Sequence, residues 1–391
     1  MSQFYSLRLC NVFVWCLFCV CFVTFSAASK NNGKLTSSAS AAFSRHTIVQ
    51  PTFHHGRTKR EISTTRDENG AHHSDLTVRV KINGVEYILD LRLNEDLVPG
   101  GHVVHYQKNG ERVIHRPKKE ELDLCQYSGT IRGRPRSWVA VSTCRGLRGV
   151  LYDGVSTRYI QPVRDNSLQS DHFVYDHADL TTHHKCGYED VTNNSSYDPQ
   201  LFKKYQEQKS IERSRVSRHK RATDEIQVRG PYNSNKLSRY VELVLVADYR
   251  EYLANGESLH TVHHQLKDVA NIINSVYSPL NIFIALVGVV VWNERDEISL
   301  LENGDDTLTN FLRYRRQVLL LDIPNDNAHL ITSQKFKDGV VGKGLKGPMC
   351  TYEYSGGVAT NHSEVIGLVA TTIAHEMGHN FGHGARFGAG L

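Results

Sequence analysis

Beyond Phe25, the 391-residue chain has no apolar run near the ~20 residues that a membrane-spanning helix needs. The mature chain is therefore expected to carry no membrane span. Cysteine is also scarce. Of eight, Cys10, Cys16, Cys19 and Cys21 fall in an N-terminal leader, which leaves Cys125, Cys144, Cys186 and Cys350. Basic residues outnumber acidic ones by a formal +5, but many sit in short dibasic clusters. The leader argues against nucleic acid as a partner, and the clusters have another explanation below.

The leader is an apolar run from Leu9 to Phe25, preceded by Arg8 and followed by Ser26, Ala27, Ala28 and Ser29. A basic start, a short apolar core and a small-residue exit define a signal peptide, here residues 1–29. The chain is expected to enter the secretory pathway and be secreted. In that oxidising compartment cysteines pair. Cys125 and Cys144 flank one β segment and are expected to form a disulfide. Asn193, Asn194 and Asn361 each open an N-x-S sequon for glycosylation.

Residues 30–70 are polar without an apolar period and read as a disordered lead-in. They contain Arg57-Thr58-Lys59-Arg60, an R-x-K-R site for a furin-like convertase with cleavage after Arg60. Residues 71–189 then alternate with period two: Leu76, Val78 and Val80, and after Asn83-Gly84, Val85, Tyr87, Leu89 and Leu91. An Asn-Gly pair between alternating runs marks a hairpin. Further short strands, from Val103 to Tyr106 through Thr157 to Ile160, predict an all-β barrel or sandwich. Residues 190–221 return to a charged linker that ends in Arg218-His219-Lys220-Arg221, a second convertase site with cleavage after Arg221.

A second domain spans 235–391. Tyr240 to Ala247 and Asn281 to Trp292 read as buried strands, and Leu259 to Val276 as an amphipathic helix. Thr307 to Gln317 reads as a helix, and Val318 to Ile323, Leu330 and Ile331 as strand material. Helices alternating with buried strands predict an α/β sandwich.

The chemistry lies at His375-Glu376-Met377-Gly378-His379, on a helix with Ser363 as expected N-cap and Glu364 in its first turn. Histidines at i and i+4 lie on one helical face, so both imidazoles can reach one zinc ion. Glu376 beside them is placed to take a proton from a zinc-bound water. Gly382 marks the expected end of the helix.

HEMGHNFG, YVELVLVAD and the Lys185-Cys186-Gly187 triplet together resemble the ADAM/reprolysin branch of the metzincins, with a meltrin-like character, from about residue 75 to Gly382. The resemblance implies a β-rich prodomain, a metzincin catalytic domain around a mixed five-stranded sheet with helices, and cleavage of extracellular or cell-surface proteins. It makes Cys186 a cysteine switch that holds the zinc's open position until processing. With four cysteines three pairings exist, and a Cys186–Cys350 bridge is the alternative. It also implies a structural calcium site using Glu242 and Asp326, and plasma-membrane anchoring of full-length relatives.

The resemblance places a third zinc-binding histidine where this chain has Ala385; His383 is the substitute candidate. The tail from His383 to Leu391 is mostly Gly and Ala and reads as a C-terminal truncation of the domain. Two readings follow. One is a latent zinc metalloendopeptidase. The other is a catalytically inactive secreted fragment whose prodomain binds or regulates the full-length protease.

Overall fold

The computed structural model describes residues 42–163, 167–182, 185–187 and 237–384. The signal peptide, Asn193, Asn194, the linker with Arg221, and Ala385 lie outside the described residues. Among those described, two sheets form.

The first sheet is antiparallel throughout. Its strands are β1 (Thr47–Val49), β2 (Thr52–His55), β3 (Glu61–Ile62), β4 (Asp75–Ile82), β5 (Val85–Leu93), β8 (Gln126–Ile131), β9 (Trp138–Ser142), β10 (Arg148–Tyr152), β11 (Thr157–Pro162) and β12 (His172–Asp176). Their order is β1-β12-β11-β10-β9-β8-β5-β4-β2-β3. Alternation places Val78, Val80, Leu89, Tyr127, Val139, Leu151 and Ile160 in one apolar core. Asn83-Gly84 turns β4 into β5, with both residues at positive φ.

Residues 42–62 correct the expected disordered lead-in. They supply three strands at the sheet's ends, where β1 pairs with β12 and β2 with β4. These strands are two to four residues long and bury little beyond Val49 and Phe53, so no period announces them. The Arg57–Arg60 site is correspondingly a hairpin turn rather than an extended lead-in. His55 N–H donates to Arg60 O, and Lys59 sits at φ 58°.

The second sheet mixes both halves of the chain. From residues 239 onward come β14 (Arg239–Ala247), β15 (Ile282–Val291), β16 (Asn327–Thr332), β17 (Val340–Gly344) and β18 (Gly356–Thr360). From the N-terminal half come the hairpin β6 (Val103–Lys108) and β7 (Glu111–His115), and β13 (Lys185–Cys186). The order is β13-β17-β18-β16-β14-β15-β6-β7. Neighbours β18, β16, β14, β15 and β6 run parallel, while β17 opposes β18. The N-terminal half thus caps both edges of the sheet. That answers the exposure of unpaired edge groups.

Four helices matter for the site: α1 (Tyr249–Ala254), α2 (Leu259–Tyr277), α3 (Gly304–Tyr314) and α4 (Ile366–Asn380). Leu308, Phe311 and Leu312 of α3 cover one face of the second sheet with Val244, Val246 and Val358. α2 and α4 cover the other face and are covered in turn by the first sheet, in a core that joins Ala140, Val150 and Tyr159 to Leu266, Val269, Val369 and Ile373. Amphipathicity foretold one buried stripe on α2. Its polar side is buried too, with His264, Lys267, Asp268, Asn271 and Asn274 all enclosed. Gly367 lets α4 approach the first sheet, since a Cβ there would stand 2.5 Å from the Tyr159 ring.

Two local expectations fail. Val318 to Ile323 is not strand but the end of a π-turn (Arg315–Leu319) and one helical turn (Leu320–Asp322). A short run of five apolar residues and Asp322 has no period that separates the two. Ser363 does not cap α4: the N-cap is Val365, and the Ser363 hydroxyl accepts from Val365 N–H, so Glu364 also precedes the helix.

Candidate metal centre

Helix α4 carries His375, Glu376 and His379, and β13 brings Cys186 to them across the sheet edge. The four side chains form one group with ligand atoms within 4.8 Å of one another. The histidine rings stand 4.7 Å apart and nearly perpendicular. Cys186 Sγ lies 3.2 Å from His379 Nε2 and 3.5 Å from Glu376 Oε1.

The end of α4 fixes the tautomer of His379. Gly382, at φ 101°, closes the helix: its N–H bonds His379 O and the N–H of His383 bonds Gly378 O. That turn sets His383 O 3.0 Å from His379 Nδ1. A carbonyl only accepts, so Nδ1 carries the hydrogen and Nε2 turns its lone pair to Cys186. His383 therefore contributes its backbone; its ring is not part of the group. At the other end of the motif, Tyr277 of α2 donates to Ala374 O at 2.6 Å, tying the residue before His375 to the core.

Burial, and then the neighbouring His379, push the His375 pKa down to about 4, so the ring is neutral at physiological pH. Its Nε2 is buried without a hydrogen-bond partner. Burial pushes Glu376 up to about 8, and its Oε2 also lacks a partner. Orphaned nitrogen and oxygen beside a thiol and a second imidazole lone pair are the donor set of a zinc site. The residues present fit that ion.

Room for Glu376 comes from β17. A Cβ at Gly342 would stand 2.5 Å from Glu376 Oε1, and one at Gly344 would stand 2.9 Å from Glu376 O. Sequence reasoning missed this pair. Its signal was glycine recurring two residues apart, and so on one face of the strand, which marks close approach from above. Gly342 also pairs with Cys186, and Gly187 N–H donates to Gly342 O, so the triplet runs as a short parallel strand along β17.

The other expected sites fall as follows. Cys125 and Cys144 form a disulfide with Cα atoms 5.6 Å apart. Cys186 and Cys350 remain thiols, so the alternative bridge between them is not formed. Glu242 and Asp326 are neighbours, but Asp326 Oδ2 accepts from Glu242 N–H, and no third carboxylate joins them in a metal-like group among the described residues. Asn361, an expected glycosylation site, is half-buried. Its Nδ2, the atom a glycan would occupy, donates at 2.9 Å to both oxygens of buried Glu251.

Comparison with known proteins agrees with this arrangement. Residues 239–385 match the reprolysin (M12B) family zinc metalloprotease model, and residues 35–132 match the reprolysin family propeptide model. Mouse disintegrin and metalloproteinase domain-containing protein 12 is 35% identical over 80% of this chain and 32% of its own length. Mouse protein 19 of that series is 37% identical over 80% and 32%. Human protein 15 is 33% identical over 78% and 33%. The chain thus spans about a third of the length of the curated relatives it matches. No helix among the described residues is long and apolar enough to cross a membrane. With a propeptide match in its first half and a catalytic match in its second, the chain belongs to the ADAM/reprolysin (M12B) family of zinc metalloproteases.

Proposed function

We propose that the chain is the latent precursor of a secreted zinc metalloendopeptidase acting on extracellular or cell-surface proteins. The observation that carries this reading is Cys186 Sγ seated between His379 Nε2 and Glu376 Oε1. His375 and His379 would hold the ion, with the Cys186 thiolate as third protein ligand in the latent form. A zinc ion there supplies Lewis acidity and acidifies a water to near neutral pH.

The chain's own residues do the rest. Cys186 and Gly187 lie along the β17 edge, where an extended peptide would add as a strand, so they exclude substrate as well as water. Cleavage after Arg221 by a furin-like convertase would free this segment to leave. Glu376, opened to solvent, then accepts a proton from the attacking water and delivers it to the leaving amine. Arg60 is held in a hairpin turn, which a convertase that binds an extended segment would have to open. Calcium at Glu242 and Asp326 needs further ligands from outside the described residues.

Ala385, in place of the expected third histidine, favours a second reading: a catalytically inactive fragment whose prodomain binds or regulates a full-length protease. One experiment separates the two. The secreted, convertase-treated chain and its Glu376→Ala variant are compared on a quenched-fluorescent peptide library, with bound zinc assayed on both. Zinc near one per chain, with turnover reduced at least about a hundredfold in the variant, supports the enzyme. Substoichiometric zinc and equal, negligible turnover overturn it in favour of the fragment.

A further inference from the structure

A second cluster of titratable side chains joins the two halves of the chain, on the buried polar side of α2. His264 Nδ1 lies 3.2 Å from Cys144 Sγ of the disulfide. A disulfide sulfur has no proton, so Nδ1 carries the hydrogen and Nε2 presents a lone pair. That lone pair faces His260 Nε2 at 3.1 Å and Asp123 Oδ2 at 3.6 Å. On the same turn, His263 Nε2 meets His102 Nε2 at 3.1 Å. His102 Nδ1 donates to Leu286 O at 2.7 Å, so its Nε2 must accept. His102, Asp123 and Cys144 belong to the N-terminal half; His260, His263, His264 and Leu286 belong to the catalytic half.

The charged groups around these rings are mostly positive. Arg66 pairs with Asp123 at 2.8 Å, and Lys267 spends its ammonium on the carbonyls of Leu122 and Asp123. Arg145 acts on His264 as well, and His72 Nε2 stands 3.7 Å from Asp123. Asp268, the other carboxyl, is buried and bound to Gln126 Nε2 at 2.7 Å. The separations among His260, His264 and Asp123 lie near the ~3.3 Å ligand spacing of a tetrahedral zinc site. Arg66 already neutralises that carboxylate, though, and Lys267 and Arg145 add more positive charge. The place repels a dication, and for the same reason it repels a proton.

We propose that this histidine cluster makes the hold of the N-terminal half on α2 pH-dependent: neutral imidazoles keep the two halves docked, and their protonation in an acidic compartment releases them. This rests on the reading of the N-terminal half as a propeptide. Burial, the largest cause in each case, lowers His102 to about 4, His263 to about 2 and His264 to about 3, and Lys267 next to the last two lowers them further. Separated, each would return toward its ordinary value of about 6.5. Between about 6.5 and 4 the separated halves therefore bind protons that the docked form refuses. Docking is unaffected above that window and weakens as pH falls through it. From pH 7.5 to 5.5 each independent histidine weakens docking about tenfold, so the three give about a thousandfold.

The test uses the full chain cleaved after Arg221, with association of the two pieces measured by size-exclusion chromatography with light scattering at pH 7.5, 6.5 and 5.5. Circular dichroism monitors folding on the same samples. The dissociation constant should rise about a thousandfold from pH 7.5 to 5.5. His264→Gln and, separately, His102→Gln should each cut that rise about tenfold, while exposed His260→Gln leaves it within about threefold. A constant that does not change with pH, or an unchanged rise in both His264→Gln and His102→Gln, overturns the inference. Pieces already apart at pH 7.5 overturn the inference alone, because release on cleavage is what the propeptide reading expects; an uncleaved chain already active on the peptide library overturns the propeptide reading itself.

Discussion

The N-terminal half touches the two edges of the catalytic sheet in different ways. At β17, among the described residues, it contributes Lys185–Cys186 and the Gly187 N–H, with one thiol at the metal group. At β15 it adds a whole hairpin, whose tip is gripped by residues 293–297. Gln107, buried on β6, takes Asn293 Oδ1 on its N–H at 2.6 Å and Asn293 Nδ2 on its carbonyl at 2.9 Å. Its side chain accepts from the N–H groups of Glu294 and Arg295 and donates to Glu297. The Glu294 carboxylate accepts both Asn109 N–H and Gly110 N–H at 2.7 Å. One edge carries the block, and the other shares the hold with the first sheet's core against α2 and α4. On the latent-precursor reading, inhibition at the site needs only a short segment, provided something else keeps that segment in place.

The largest effect that would sharpen this contrast is at Gln107. Truncation to Ala removes three side-chain hydrogen bonds and strands the amides of Glu294 and Arg295. With three part-buried bonds lost at about 1–3 kcal/mol in all, Gln107→Ala should weaken association of the cleaved pieces about 5- to 150-fold. Isothermal titration or the same chromatographic assay at pH 7.5 reads this directly. A change under threefold would show that the hairpin edge does not carry the hold.

Glu294→Ala comes next. The carboxylate is exposed, so its charge-assisted bonds to the hairpin tip are screened and worth about 1–1.5 kcal/mol. Association should weaken about tenfold at low salt and by less at high salt. Equal losses at both ionic strengths would mean that Glu294 acts through shape rather than charge.

Much of this was legible from sequence, and the misses have a common cause. Alternation at Leu76 to Leu91 and the Asn83-Gly84 turn announced a hairpin because one face is buried and the other is not. HEMGH announced a paired-histidine helix because four residues make about one turn. Alternation at Val103 to Tyr106 also announced a strand, but a period says which face is buried and nothing about the partner. Hence β6 read as part of the N-terminal sheet, whereas it extends the catalytic one. His263 and His264 looked like the polar face of an amphipathic helix, since the layer that covers them lies more than a hundred residues away in sequence. The Gly342 and Gly344 pair was in view as letters, but its purpose depends on Glu376 descending from another element.

The smallest expected effect tests the other edge. β13 has two residues, paired through backbone with β17, and its thiol lies at the metal group. In chain stripped of metal with a chelator, Cys186→Ala removes the weak Sγ contacts to His379 and Glu376, worth about 1 kcal/mol, so association of the cleaved pieces should fall only about fivefold. The Gln107→Ala loss should exceed it several-fold. The same pair measured with zinc added reads what the thiol gains from the metal, because the hairpin contacts are common to both states. A loss above about a hundredfold without metal would place the hold at Cys186 itself and dissolve the division between the two edges. A small loss without metal and a larger one with it would make the far edge the anchor and the thiol the lock that the anchor positions.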